Sequence, residues 1–268
     1  MAFPIGFTAE RPPEEPAQRA VSQPPAARPS VVQVHFDKRN MTLAYYNDRF
    51  DLPPGDLVYV DGKLEGLRGR VMEVNYNFKI RISDYKRVIA VADTQIHGTF
   101  YTAGAYFVTF QETVLPPAQA ALWFKAPPRP EDEFASGSDG ASFSLKDLQG
   151  LQVSAGVAQR GREYYLEDRV RYLSLRRGEG FAIVEGSQTY EVEFRYEAGE
   201  IGGLTCSCYC SYHCKHQVAV LLQLRELLAF LEKHYAGEYE KTSCFSAMEK
   251  ATLLELAVLD RETGSITL

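Results

Sequence analysis

Four of the five cysteines in this 268-residue chain, Cys206, Cys208, Cys210 and Cys214, fall within nine residues, and only Cys244 lies apart. No other feature restricts the fold so tightly. A disulfide framework distributes its cysteines to staple distant loops, whereas a tight cluster gathers donors around one point. The first residues, MAFPIGFTAERPPEEP, lack a basic stretch followed by an apolar one, so no secretory signal is expected. The cluster is therefore read as a metal site in a cytoplasmic protein.

A structural zinc site takes four thiolate or imidazole ligands in a tetrahedron, at about 2.0–2.3 Å. The stretch TCSCYCSYHCKHQVAVLL offers them. Cys206 and Cys208, one residue apart, can leave a strand end towards one ion. After five residues come Cys214 and His216 at the expected start of a helix, whose N-terminal partial positive charge favours thiolates. Three thiolates around Zn²⁺ leave a net charge of about -1, which Lys215 is placed to offset. The intervening loop also holds Cys210 and His213, and a ligand set using either stays open. Pairing Cys208 with Cys210 leaves only Ser211, Tyr212 and His213 before Cys214, which is tight for a tetrahedron. Cys244 is read as a buried or incidental thiol.

This C-x-C…C-x-H arrangement resembles the SWIM zinc finger, and the resemblance extends over roughly residues 155–233. It includes Arg160-Gly161, Tyr164-Tyr165, Val170, Ala182-Ile183-Val184-Glu185-Gly186, Tyr190-Glu191-Val192 and Cys214-Lys215-His216 before an apolar helix. The resemblance implies one structural zinc ion on Cys206, Cys208, Cys214 and His216. It also suggests a nucleic-acid-binding or protein-recognition role.

Proline marks the remaining organisation. Seven of the 14 prolines lie in residues 1–30, a segment with few large apolar residues that is expected to be a disordered arm. Five more lie between Pro116 and Pro130, ahead of EDEFASGSDG, which reads as a linker over 126–150. Between them, residues 31–125 read as a small antiparallel β-barrel. Its strands include DLVYV, RGRVMEVNY and FKIRI, the last with Phe78, Ile80 and Ile82 alternating against Lys79 and Arg81. The block PPAQAALWF predicts a short helical turn with Trp123 as packing anchor. The run from Gly55 to Val60, with Gly62, Gly66 and Gly69, resembles the KOW motif of ribosomal and elongation proteins. Residues 151–235 form the expected zinc module: a helix over 153–166, three strands, the ligands, and a long apolar helix from about Cys214 to Tyr235. Residues 236–268 are expected to be a helix and hairpin cap, the hairpin turning at Asp260–Gly264.

The fold class is thus α+β. The net charge of -6 excludes a protein that coats DNA through overall basicity. Between Leu67 and Arg87, however, Arg68, Arg70, Lys79, Arg81, Lys86 and Arg87 stand against Glu73 and Asp84 alone. That strip, with Tyr76 and Tyr85 nearby, is the candidate contact for DNA or RNA; a solvated outer face is the plainer alternative. His35, His97 and His234 are isolated and read as structural. The longest apolar stretch, Val218 to Leu231, is interrupted by Gln223, Arg225 and Glu226, too short for a membrane span. No catalytic motif, phosphate-cradling loop or small-molecule substrate site is evident. The expected function is a non-enzymatic zinc-binding protein that touches nucleic acid or acts as an adaptor. The alternatives are a protein-docking module, for instance on a helicase-like ATPase, and a zinc-linked redox switch.

Overall fold

The computed structural model describes residues 27–138, 140–210 and 212–259. Most of the expected N-terminal arm, and the expected turn at Asp260–Gly264, lie outside the described residues. Two antiparallel sheets carry the fold. The first contains β1 (Ser30–Phe36), β2 (Met41–Asn47), β3 (Leu57–Val60), β4 (Gly69–Asn75) and β5 (Val88–Ala92), in the order β2-β1-β4-β3-β5. It is not the expected closed barrel. The edges β2 and β5 meet at one bridge, Tyr46 to Arg87, where the Tyr46 amide donates to the Lys86 carbonyl at 2.9 Å. The sheet curls around Val32, Val34, Phe36, Tyr45, Val58, Val60, Val71 and Val88.

Residues Phe78–Ile82 form no strand despite their alternation; they belong to the excursion between β4 and β5, and Ile82 is half exposed. No neighbouring strand offers them a ladder, and alternation without a partner does not make a sheet. Gly62 and Gly66 take positive φ as the turn reading requires. Gly69 instead permits close packing: a Cβ there would lie 2.4 Å from Val34 Cγ1 and 2.8 Å from Phe36 Cε1.

The second sheet has eight strands. They are β6 (Tyr101–Ala103), β7 (Tyr106–Thr109), β8 (Ser142–Ser144), β9 (Val170–Arg176), β10 (Glu179–Glu185), β11 (Thr189–Glu197), β12 (Glu200–Cys206) and β13 (Cys244–Glu249). Their order is β6-β7-β13-β9-β10-β11-β12-β8. The expected boundaries at 125 and 150 therefore do not follow the sheets. β6 and β7 lie within the span expected to be the barrel, residues 31–125, yet β7 pairs with β13 from Ser246↔Thr109 to Glu249↔Tyr106. β8, inside the expected linker, pairs with β12, and Leu145 and Leu151 are buried in the second core. The expected cap supplies β13, which runs between β7 and β9 and is buried throughout.

Helix α1 (Pro117–Leu122) is the expected short turn, with proline at its first position, and it seats Trp123 fully buried. The Trp123 indole N–H donates to the Asp93 carbonyl at 2.8 Å. Trp123 belongs to a cluster joining Leu57 and Tyr59 of the first sheet to Phe107, Tyr172, Ile183 and Met248 of the second. The opposite face of the second sheet carries α2 (Ala155–Leu166) and α3 (Lys215–His234). The layers are thus helices, eight-stranded sheet, then five-stranded sheet with α1.

The long apolar helix needs correction in character. α3 spans 20 residues, but it carries buried His216, Gln217 and Gln223, and its second half exposes Arg225, Glu226, Glu232, Lys233 and His234. It is buried all round only near its start and amphipathic beyond. Helix α4 (Ala236–Thr242) leads into β13, and α5 (Lys250–Leu254) follows it. Glu255–Leu259 continue as a π-helix where the first arm of a hairpin was expected. Among the described residues no helix is long and apolar enough to cross a membrane.

Candidate metal centre

Cys206 closes β12. Beyond it the strand pairing continues for one residue: the Ser207 amide donates to the Glu191 carbonyl, and the Ser207 hydroxyl accepts from the Glu191 amide, each at 2.9 Å. This holds Cys208 in the turn immediately after the strand. Cys214 is the N-cap of α3, with extended backbone, and His216 lies in the first helical turn.

One atom each from Cys206, Cys208, Cys214 and His216 lies within 4.8 Å of all the others, the single such group of metal-binding side chains among the described residues. His216 Nδ1 is 3.7 Å from both Cys206 Sγ and Cys214 Sγ. In a tetrahedron built on Zn–S near 2.3 Å and Zn–N near 2.0–2.1 Å, such edges measure about 3.6–3.8 Å. The spacing already fits an ion at the centre. Cys210 is exposed and His213 half-buried, and both fall outside the group.

The electrostatics show why three sulfurs here suit a cation. The Cys214 thiol is pulled far below its ordinary value, first by the hydrogen bond from Cys206, then by His216 and the Gln217 amide, against the effect of burial. Cys206 is pushed up by that same hydrogen bond and by burial, and Cys208 by burial. Three adjacent thiolates repel one another, so a negative charge on Cys214 disfavours one on Cys206 and Cys208. A soft divalent cation removes the repulsion and takes all three as thiolates, and the S₃N donor set fits such an ion.

The surrounding side chains hold the donors in place. Gln217 receives the Cys214 amide on Oε1 at 2.8 Å and donates from Nε2 to the Leu204 carbonyl at 3.3 Å. It thereby ties the start of α3 to β12, the two elements that supply the donors. The His216 ring is 3 % exposed, stacked on Tyr190 at 4.1 Å between centroids and meeting Tyr164 edge-on at 5.5 Å. The two helices approach at Gly161, where a Cβ would come within 2.4 Å of Val218 Cβ and 3.0 Å of the Lys215 carbonyl. The Lys215 ammonium donates to the Tyr164 hydroxyl at 2.7 Å and lies 4.2 Å from that ring's centroid. Sequence reasoning missed Gln217. Its signal was the Cys-x-x-Gln spacing, a capping box in which cysteine replaces the usual serine or threonine.

The basic strip divides. Arg68 donates to the Trp123 carbonyl, Arg70 to the Gly55 carbonyl at 3.1 Å, and Arg87 pairs with Asp48 while lying 5.1 Å over the Tyr46 ring. Lys79, Arg81 and Lys86 are exposed. Tyr76 is already covered by the Arg28 guanidinium, 4.4 Å from its centroid. Among the described residues the isolated histidines join no metal-binding group: His35 contacts Thr42 and Asp37, His97 is exposed, and His234 packs on Phe230. Cys244 is buried, its thiol donating to the Phe110 carbonyl at 3.4 Å.

No family model matches the chain, and no match was found among curated proteins or solved structures.

Proposed function

We propose that the protein is a non-enzymatic binding module whose second sheet and helices are held together by one structural zinc ion on Cys206, Cys208, Cys214 and His216. The convergence of these four donors within 4.8 Å carries the reading. Four protein ligands leave no open coordination position, and metal-assisted hydrolysis needs one. The SWIM-type reading rests on the ligand spacing together with Gly161, Tyr164 and Tyr190, which pack around the centre. Metal analysis of the purified chain tests it: one zinc per chain is expected, and Cys206→Ser, Cys208→Ser, Cys214→Ser or His216→Ala should each lose it. Full zinc occupancy in those variants would overturn the assignment.

Nucleic-acid contact, in this reading, uses Lys79, Arg81 and Lys86, the exposed members of the strip. A single-stranded oligonucleotide bound by three cations loses affinity with salt at a log–log slope of about -2. Binding that ignores salt would overturn that contact. A partner protein is the second reading, favoured by a groove of 1070 Å³ between residues 118–138 and β12, beside Cys206. Phe134 and Tyr212, 78 % and 89 % exposed, stand on its rim.

A further inference from the structure

On the helical side of the second sheet, α2 and α3 enclose a separate slot of 320 Å³. Each helix contributes residues spaced four and then three apart, one face in each case: Ala158, Arg162 and Tyr165 from α2, Val218, Leu222 and Arg225 from α3. The floor is closed by Leu148, Leu151 and Val153 from the turn that precedes α2. Apart from the two arginines and the Tyr165 hydroxyl, the lining is aliphatic or aromatic. The volume lies at the small end of the range for small-molecule sites, about 300–1,000 Å³.

The two guanidiniums distinguish this slot from an ordinary gap between helices. Both arginines are exposed, and among the described residues neither forms an ion pair or a side-chain hydrogen bond. The carboxylates closest in sequence already have partners. Glu226 accepts from the Tyr165 hydroxyl at 2.9 Å and from Gln223 at 3.2 Å, and Glu163 accepts from Gln159 at 3.0 Å. Two cations thus border an apolar space, and the Glu226 carboxylate, held on the Tyr165 hydroxyl at the slot's edge, forms an ion pair with neither. Arginine binds carboxylates through paired, charge-assisted hydrogen bonds, and the aliphatic floor favours a hydrocarbon.

We propose that this slot binds a small amphipathic carboxylate, its hydrocarbon body against Leu148, Leu151, Val153 and Leu222 and its carboxylate on Arg162 and Arg225. The site shares no residue with the metal centre. Isothermal titration of the full chain, as purified, with three probes of one chain length tests it: octanoate, 1-octanol and octylammonium. Octanoate is expected to bind saturably at one per chain, at least about tenfold more tightly than octanol, with octylammonium not binding. In the double variant Arg162→Gln, Arg225→Gln the preference for octanoate over octanol should vanish, with octanol affinity unchanged. The proposal is overturned if octanoate does not saturate, if octanol or octylammonium binds as tightly in the unsubstituted chain, or if the preference survives in the double variant.

Discussion

Two groups of residues, each compact in sequence, meet opposite fates in the fold. Cys206, Cys208, Cys214 and His216 converge within 4.8 Å. The six basic residues from Arg68 to Arg87 disperse: three are drawn to carbonyls or a carboxylate of the protein, and three face solvent. The difference lies in what each group needs. Thiolates and an imidazole become compatible only around a shared cation, so their joint chemistry selects one arrangement. Guanidiniums repel one another and each finds its own acceptor, so clustering of charge along a chain need not become a charged face.

The sharpest test of this contrast removes the proposed zinc ion. Apparent binding energies of structural zinc are about 10–16 kcal/mol, on the scale of a domain's whole stability. On chelation, hydrogen exchange across residues 200–235 of the full chain is expected to lose its protection. Residues 31–92, with their own core around Val32, Val34 and Val58, should retain theirs. Equal loss in both regions would make the metal a global clamp, and no loss would reduce it to a surface ion.

Next in size is Gly161→Ala. The added methyl meets Val218 at 2.4 Å directly above the ligand-bearing turn, and overpacking of this kind costs about 1–3 kcal/mol. Denaturant unfolding of the zinc-loaded chain measures it; an unchanged midpoint would show that the helices separate freely. Gln217→Ala should cost about 1 kcal/mol, as loss of a helix cap does, and should also speed zinc transfer to a chelator. A stability loss without faster transfer would make Gln217 a cap only.

Glu249 offers a fully partnered charge against which the dispersed strip can be judged. Burial works against its carboxylate, yet the Thr252 amide and hydroxyl, the Ala251 amide and Arg171 outweigh it and hold the group below the ordinary carboxylate value. A depressed carboxylate contributes stability that is fully present above its unfolded value, about 4.3, and is lost as pH falls through its lower folded value. Glu249→Gln should therefore be less stable than the parent at pH 7, the gap closing as both are acidified below about pH 4. A gap that persists in acid would mean that shape, not charge, matters there. The smallest effect is expected from Lys79→Ala, Arg81→Ala and Lys86→Ala together, within about 0.5 kcal/mol of the parent in stability. A larger loss would assign these side chains a structural role like that of Arg68.

Legibility followed the range of the interactions. The helix over 153–166, the strands around Ile183 and Val192 and the packing of Trp123 could be read because each carries its own periodic or capping signal. Phe78–Ile82 carried the signal without the partner strand. β13 had a partner on each side without the signal: CFSAME is buried on both faces, with Phe245 and Ala247 towards the helices and Met248 towards the first sheet, so it shows no alternation. DLVYV was legible, but that β3 also faces two cores, Val58 and Val60 to one and Leu57 and Tyr59 to the other, was not.

The sequence by itself determined a cluster of candidate metal donors and the elements bearing them, because a strand end, a short turn and a helix start lie within eleven residues and donor chemistry needs nothing more distant. Only the tertiary structure decided that a strand near the C-terminal end of the described chain pairs with one from the first half, that three arginines find acceptors within the protein, and that two others border an apolar slot. Those outcomes depend on which surfaces meet between segments apart in sequence, from 15 residues for Arg70 and Gly55 to more than a hundred for β13 and β7, and such pairings leave no local mark on the chain.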